Sequence, residues 1–431
     1  MFLQGPHGPF FHKLGRLLKE ERHRVTRINF NGGDVFDWTG SDTIAFRERA
    51  EVWPFFLADF LHKYTPTDLV TFGDCRPVLE TGLRIAKSFG ARCHVFEEGY
   101  IRPDWITLEL NGVNGKSTLP RDPEWFRQKA KGLPEKVTIK LRSNVMVGMM
   151  YHVGAYYAAK CAAKSFFPHF RSHRPYCEWT EARHWALKLL MARNHAKRGQ
   201  NFQNSFLASR RQFFLFCLQL GSDSQISRHS PFSNMKSAIV KVLASFAAKM
   251  KDGTSLVVKN HPLDSGIARL DLFTFEVARR LGIENRVFFT QGGVLDDYIK
   301  ASRGVIVINS TVGMSSLHHH RPTIALGRAI YAIPGLVNCC DLDDFWSSPE
   351  PPDESLYRAF RTVLLHKTQM NGSFYTEEGM RSVLPLAVER LLANDYQSGV
   401  AMERERVLQE GQRLSLGIQS QKLGTLGRLC P

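Results

Sequence analysis

No stretch of the 431-residue chain reaches 18 uninterrupted apolar positions, so no membrane-spanning helix is expected. The most apolar window, Val145 to Ala159, carries His152 and several small or hydroxyl residues, and is followed by Lys160, Lys164, Phe166, Phe167 and Phe170. It reads either as an interfacial helix or as a core helix with a basic, solvated end. The opening residues are broken by Gly5, Pro6, Gly8 and Pro9 and lack the continuous apolar core of a signal peptide. Cysteine is sparse. The eight residues, at 75, 93, 161, 177, 217, 339, 340 and 430, include no C-x-x-C pair, which argues against a disulfide scaffold and a zinc knuckle and for reduced thiols in a cytoplasmic protein. Internal repeats are absent as well.

Negative charge is the other scarcity, and it is local. Between Lys129 and Arg211 there are 16 Lys or Arg and 3 Glu, so this one stretch carries +13 of the chain's formal +16. Such a field attracts phosphate, whether on a nucleotide or on anionic lipid. No nucleic-acid-binding motif accompanies it, so nucleic acid is not an expected partner.

The remaining sequence has a β/α rhythm. Short apolar strands are expected at Phe2–Leu3, Val25–Phe30, Leu69–Phe72 and Cys93–Phe96, with helices at Phe11–Glu21, Trp53–Tyr64 and Val78–Phe89 between them. The rhythm resumes with strands at Phe213–Gln219, Ser255–Lys259, Val287–Thr290, Gly304–Ile308 and Thr323–Leu326, and with a long helix from an N-cap at Ser233 to Met250. The fold class expected is α/β: two Rossmann-like domains, 1–120 and 211–393, separated by a basic, mostly helical insertion at 121–210 and followed by a polar tail at 394–431. Ligands of such sheets sit beyond the carboxyl ends of the strands.

Four strand ends carry suitable chemistry. Glu97-Glu98-Gly99, with Arg102, places acid in a cleft and leaves the backbone open to a ligand. Gln219-Leu220-Gly221-Ser222-Asp223-Ser224 brings a carboxylate and small polar groups straight out of an apolar strand. In Lys259-Asn260-His261-Pro262, period-two alternation puts Lys259 and His261 on one side, a pairing suited to phosphate or carboxylate. Asn309-Ser310-Thr311-Val312-Gly313 offers hydroxyls at a helix start, another anion-binding pattern. Each has a plainer reading as a cap, a turn or a structural ion pair. The run His318-His319-His320 is not read as a metal site, because adjacent helical side chains point about 100° apart.

Taken in order, these motifs resemble the capsular polysaccharide biosynthesis and export family of the KpsS/LipB type. The likeness extends to Leu3-Gln4-Gly5-Pro6 with Phe10-Phe11, to Arg27–Asp34, to Phe96–Glu109, and to Gly327–Tyr331 with Pro334-Gly335-Leu336. It implies a GT-B fold, with two domains facing across a cleft, and a retaining glycosyltransferase that moves β-Kdo from CMP-β-Kdo to lysophosphatidylglycerol, with no cofactor and no metal. It implies Asp223 as nucleophile and Glu98, beside Glu97, as acid/base. Gln219, Ser224, Lys259, His261, Asn309, Ser310, Thr311 and Gly313 would hold the donor. Glu97, Gly99, Arg102, Gly5 and Phe10 would line the acceptor side or the cleft. Related two-module enzymes carry Glu-Asp-Gly where this chain has Glu97-Glu98-Gly99, and often Glu-Ala-Leu where it has Ser315-Ser316-Leu317. The expected partners are the inner-membrane surface, through residues 129–211, and the capsule biosynthesis and export machinery. A sialyl-type transferase using another CMP-sugar and a non-catalytic export adaptor are the competing readings.

Overall fold

The computed structural model describes residues 1–172, 176, 178–221, 224–251 and 253–393. Its strands are β1 (Arg27–Asn29), β2 (Thr43–Ala45), β3 (Asp68–Phe72), β4 (Arg92–Glu98), β5 (Trp105–Leu110), β6 (Phe213–Cys217), β7 (Ser255–Lys259), β8 (Val287–Thr290), β9 (Gly304–Val307), β10 (Thr323–Ala325) and β11 (Gln369–Asn371). The second half folds around an all-parallel sheet in the order β10-β9-β6-β7-β8. Its central strands, Phe-Phe-Leu-Phe-Cys and Ser-Leu-Val-Val-Lys, are buried throughout. That follows from helices covering both faces, and it explains why these strands read as continuous apolar runs rather than as alternating ones.

The first half is less regular. Strands β3 and β4 are parallel, whereas β5 and β11 continue the sheet antiparallel in the order β11-β5-β4-β3. Phe2 bridges to Arg27 and to Val70, so the expected first strand is reduced to a single-residue bridge that joins β1–β2 to β3. Three strands escaped the sequence reading: β2, β5 and β11. The last is Gln-Met-Asn, too short and polar to register as a strand, yet it and the helix Glu377–Leu392 return to the first sheet. Sheet membership therefore cuts the chain before β11, not at 393. Met370, Phe374, Met380, Val383 and Leu384 share a core with Phe2, Phe10, Phe11 and Phe96.

The basic segment is helical at Pro123–Ala130, Val145–Ala162, Glu178–Leu190 and Ala192–Ala208. These helices divide between the halves. Val145–Ala162 packs on the first, where Gly33 lies against the Tyr156 ring. Ala192–Ala208 packs on the second, where Gln203 donates to the Val294 carbonyl and Gly199 meets Gly292 backbone to backbone. The helix expected from an N-cap at Ser233 runs instead over Met235–Lys249, with Asn234 as its N-cap in a capping box with Ser237. Residues 394–431 lie outside the described residues.

Candidate functional site

Register builds the donor side of the site. Cys217 of β6 pairs with Lys259 of β7, and Phe216 pairs with Ile306 of β9. Continued past the strand ends, the same register places His261, Gln219 and Asn309 in one row across three neighbouring strands, all at the carboxyl edge. The row is real. Gln219 Nε2 donates to Asn309 Oδ1 at 2.8 Å, and the Asn309 backbone N–H donates to Gln219 Oε1 at 3.0 Å, so the buried Gln219 side chain is tied to both the side chain and the main chain of Asn309.

His261 is not the cation that its position beside Lys259 suggested. Burial, with the Arg102 cation nearby, lowers its pKa to about 4. Its Nδ1 accepts from the Leu263 amide at 3.1 Å, so the neutral ring carries its proton on Nε2 and presents a donor. Lys259 is turned away from the role expected of it. Its ammonium donates to the Gly292 carbonyl at 2.9 Å and lies 5.7 Å from the centre of the Tyr298 ring, and burial lowers its pKa. It buttresses the loop after β8. Ser310 Oγ accepts from the Val312 amide, and the Ser310 carbonyl accepts from the Tyr331 hydroxyl, while Thr311 sits at the N-cap of Val312–His318 without a side-chain cap bond. A Cβ at Gly313 would strike the Tyr331 ring, so packing by itself calls for glycine there.

The opposite bank comes from the first sheet. Glu97 and Glu98 are the last two residues of β4 and so point to opposite faces. Glu97 accepts from the Glu98 amide at 3.0 Å, and desolvation, with Glu98 and Asp74 nearby, raises its pKa to about 7. Glu98 accepts from the Tyr375 hydroxyl at 2.8 Å and lies 3.6 Å from Arg102. Gly99 answers to its own fold: a Cβ would collide with the Trp105 carbonyl. Of two expected cleft residues, Phe10 is core and Gly5 is half-buried. Phe10 is fully buried edge-to-face against Phe374 and Phe96, and Gly5 sits against the Phe11 ring.

The two banks meet through residues the sequence reading did not single out. Asn114 donates to the Asn309 carbonyl at 3.3 Å and accepts from the Ile330 amide at 3.0 Å. Its own amide donates to the Tyr100 hydroxyl, which donates to Glu109, a carboxyl raised to about 7 by burial. A second junction joins Cys75 Sγ to Asp74 Oδ1 at 3.0 Å and to His229 Nε2 at 3.2 Å. Asp74, Cys75 and His229 form a group of three candidate metal ligands among the described residues. Burial lowers the His229 pKa, with Lys116 and Arg328 adding to the shift and Asp74 and Glu80 opposing it. No sequence signal marks this cluster, since 154 residues separate Cys75 from His229. Asp34 is a third polar centre. It accepts from Gln4, Asn31, Tyr156 and the Phe30 amide, with Arg27 buried 3.8 Å away. The expected nucleophile, Asp223, lies outside the described residues; Ser224 opens the helix Ser224–His229 that carries His229 to the junction.

The chain can be set beside known proteins on this geometry. It is 33% identical over 379 residues to the capsule polysaccharide export protein KpsS of Escherichia coli, covering 87% of this chain and 96% of that protein. It is likewise 33% identical over 391 residues to the capsule polysaccharide modification protein LipB of Neisseria meningitidis serogroup B, covering 88% and 91%. Among solved structures, the beta Kdo 2,7 transferase of Thermosulfurimonas dismutans KpsC aligns with a TM-score of 0.42 at 15% identity, over 81% of this chain and 92% of that one. The signature of the family described as capsule polysaccharide biosynthesis protein matches residues 67–375, a span that holds both banks of the junction except its amino-terminal strands. With that match and two relatives at one-third identity along most of its length, the chain belongs to the capsule polysaccharide biosynthesis protein family.

Proposed function

We propose that the protein is a GT-B glycosyltransferase that moves β-Kdo from CMP-β-Kdo to a lysophosphatidylglycerol acceptor at the inner face of the cell membrane, beginning the lipid linker of a capsule polysaccharide. The observation that carries this reading is the row His261, Gln219, Asn309, formed by three strand ends of one parallel sheet and bridged by Asn114 to the acidic ends of the other. A CMP-sugar offers a single phosphate and a sugar carboxylate. Neutral donors and backbone N–H groups suit that load and require no metal for a diphosphate. The His261 Nε2–H and the Ser310–Thr311 segment are assigned to the departing phosphate, where preorganised donors stabilise developing charge.

Retention takes two displacements. The Asp223 carboxylate attacks the anomeric carbon as the bond to CMP breaks and CMP leaves with the electron pair. The acceptor hydroxyl then attacks that carbon, the bond to Asp223 breaks, and the hydroxyl proton passes to a carboxylate base. Glu98 was the expected base. Tyr375 and Arg102 already occupy its carboxylate, whereas Glu97, with a pKa near 7, is poised to take and give a proton at neutral pH. Glu97 is therefore assigned the proton transfer, and Glu98 the task of holding Arg102 beside His261.

The basic insertion supports a membrane-bound acceptor, since each Lys or Arg at an anionic surface contributes about 1 kcal/mol. Among the described residues no helix is long and apolar enough to cross a bilayer. The test is incubation of the purified protein with a lysophosphatidylglycerol analogue and either CMP-Kdo or CMP-sialic acid, with the product mass recorded. Mass gain of one Kdo supports the assignment. Gain of sialic acid redirects it to the other CMP-sugar, and no gain from either leaves the export-adaptor reading.

A further inference from the structure

The helix Val145–Ala162 is apolar on both sides: Val145 and Met149 pack against the core of the first half, and a second apolar side is left outward. Its exposed positions are Met146, Val147, Met150, Tyr151, Gly154, Ala158, Cys161 and Ala162. At 100° per residue these fall within an arc of about 160° and run about 24 Å along the axis, and none carries a charge. The helix's one charged residue, Lys160, is on the packed side, 8% exposed, with its ammonium over the Tyr157 and Phe170 rings. The packed side also holds Tyr156 against Gly33, His152 against Gly8 and Gly148 against the Tyr375 carbonyl. A surface helix normally turns apolar residues inward and polar ones outward; the inward side of this helix follows that rule and its outward side does not. Here an apolar stripe faces out, with Val147 62% and Tyr151 70% exposed, and Phe166, 62% exposed, extends it past the helix end.

Cations flank the stripe at both ends. Lys140 and Arg142 precede it, and Lys164 and Arg171 follow it, all exposed. A second copy of the chain would bring the same cations against themselves, and residues 129–211 hold +13. An uncharged stripe bracketed by cations instead matches an anionic bilayer: head groups at the ends, the acyl boundary along the middle.

We propose that the exposed face of Val145–Ala162 inserts in the plane of an anionic membrane as a monotopic anchor, so that the protein is held by apolar burial and not by charge alone. This takes the bilayer partner from the function proposed above and adds the element that enters it. The same helix packs on Gly32–Gly33, beside the buried Asp34 centre, so the anchor would set the first sheet at a fixed height above the lipid surface.

The test uses the full chain and vesicles of equal parts phosphatidylcholine and phosphatidylglycerol, read by co-sedimentation. Wild-type protein should sediment with these vesicles, bind pure phosphatidylcholine far less, and remain partly bound when salt is raised after binding. The pair Val147→Asp with Met150→Asp should lower the bound fraction at least tenfold, with an unchanged circular dichroism spectrum and melting temperature. The inference is overturned if that variant binds like wild type, if salt alone strips wild type completely, or if light scattering finds a wild-type dimer that the variant dissociates. Transfer to a water-soluble, short-chain acceptor should be equal in the two proteins. Its absence from both, with vesicle binding intact, would sink the glycosyltransferase reading and leave the anchor standing.

Discussion

The two banks of the junction differ in chemistry and in construction: one is built of neutral donors, the other of acids. The second sheet offers His261, held neutral by burial, the Gln219–Asn309 amide pair and the hydroxyls of Ser310 and Thr311. The first offers acids whose protonation is displaced upward: Glu97, Glu109 and, further off, Asp37, each raised to about 7 with burial as the leading cause. The lesson is a division of labour. Under the proposed function, one side would stabilise a leaving anion without gaining or losing protons, and the other would exchange them.

That contrast can be broken. Asp223→Asn should abolish transfer, by roughly 10³-fold or more, while circular dichroism stays native. Undiminished turnover would remove it as nucleophile. Glu97→Gln should cost about 10²–10⁴-fold and erase the rise of activity with pH through about 7 that deprotonation of a base requires. If the limb survives in that variant and vanishes in Glu98→Gln, the two carboxyls exchange roles. His261→Ala should cost about 10²-fold in kcat. Because its pKa is near 4, the wild-type profile should show no inflection from His261 between pH 5 and 9, and an imidazole limb there would contradict the neutral-donor role.

Smaller effects sharpen the same picture. Asn114→Ala removes two hydrogen bonds between the banks, each worth about 1 kcal/mol, and should raise the donor KM about tenfold while a direct CMP-binding assay weakens in parallel. A fall in kcat at constant KM would instead place Asn114 in the chemical step. The least effect is on stability. Asp37, Glu97 and Glu109 have folded pKa values raised above their unfolded ones, so their contribution is fully present below about pH 4 and is lost as pH rises through about 7. Melting temperature should therefore decline from pH 5 to pH 8, and Asp37→Asn should flatten that decline.

How far the sequence could be read follows the same divide. Strands β6, β7 and β9 announced themselves because burial on both faces demands continuous apolar runs, and β7 and the half-buried edge strand β8 begin and end where expected. Strands β2 and β11, at the edges of the mixed sheet, carry Thr-Ile-Ala and Gln-Met-Asn and left no periodic trace. The motif residues were located well and their tasks less well. Lys259 sits where alternation put it and Gly313 at the expected helix start, but the Lys259 ammonium serves the loop after β8 and Gly313 makes room for the Tyr331 ring, tertiary facts that no local pattern encodes. Asn114 and the Cys75–His229 contact were invisible for the same reason: their partners lie 195 and 154 residues away.

The late return of β11 and the helix Glu377–Leu392 to the first sheet bears on how the protein is made. A ribosome that has released the first 120 residues has delivered a layer whose aromatic underside, Phe10, Phe11 and Phe96, still waits for Phe374. Nothing closes that gap until almost 400 residues have emerged. The amino-terminal half should thus be insoluble when expressed by itself, and nascent chains stalled ahead of residue 369 should be natural clients for chaperones that bind exposed aromatic surface.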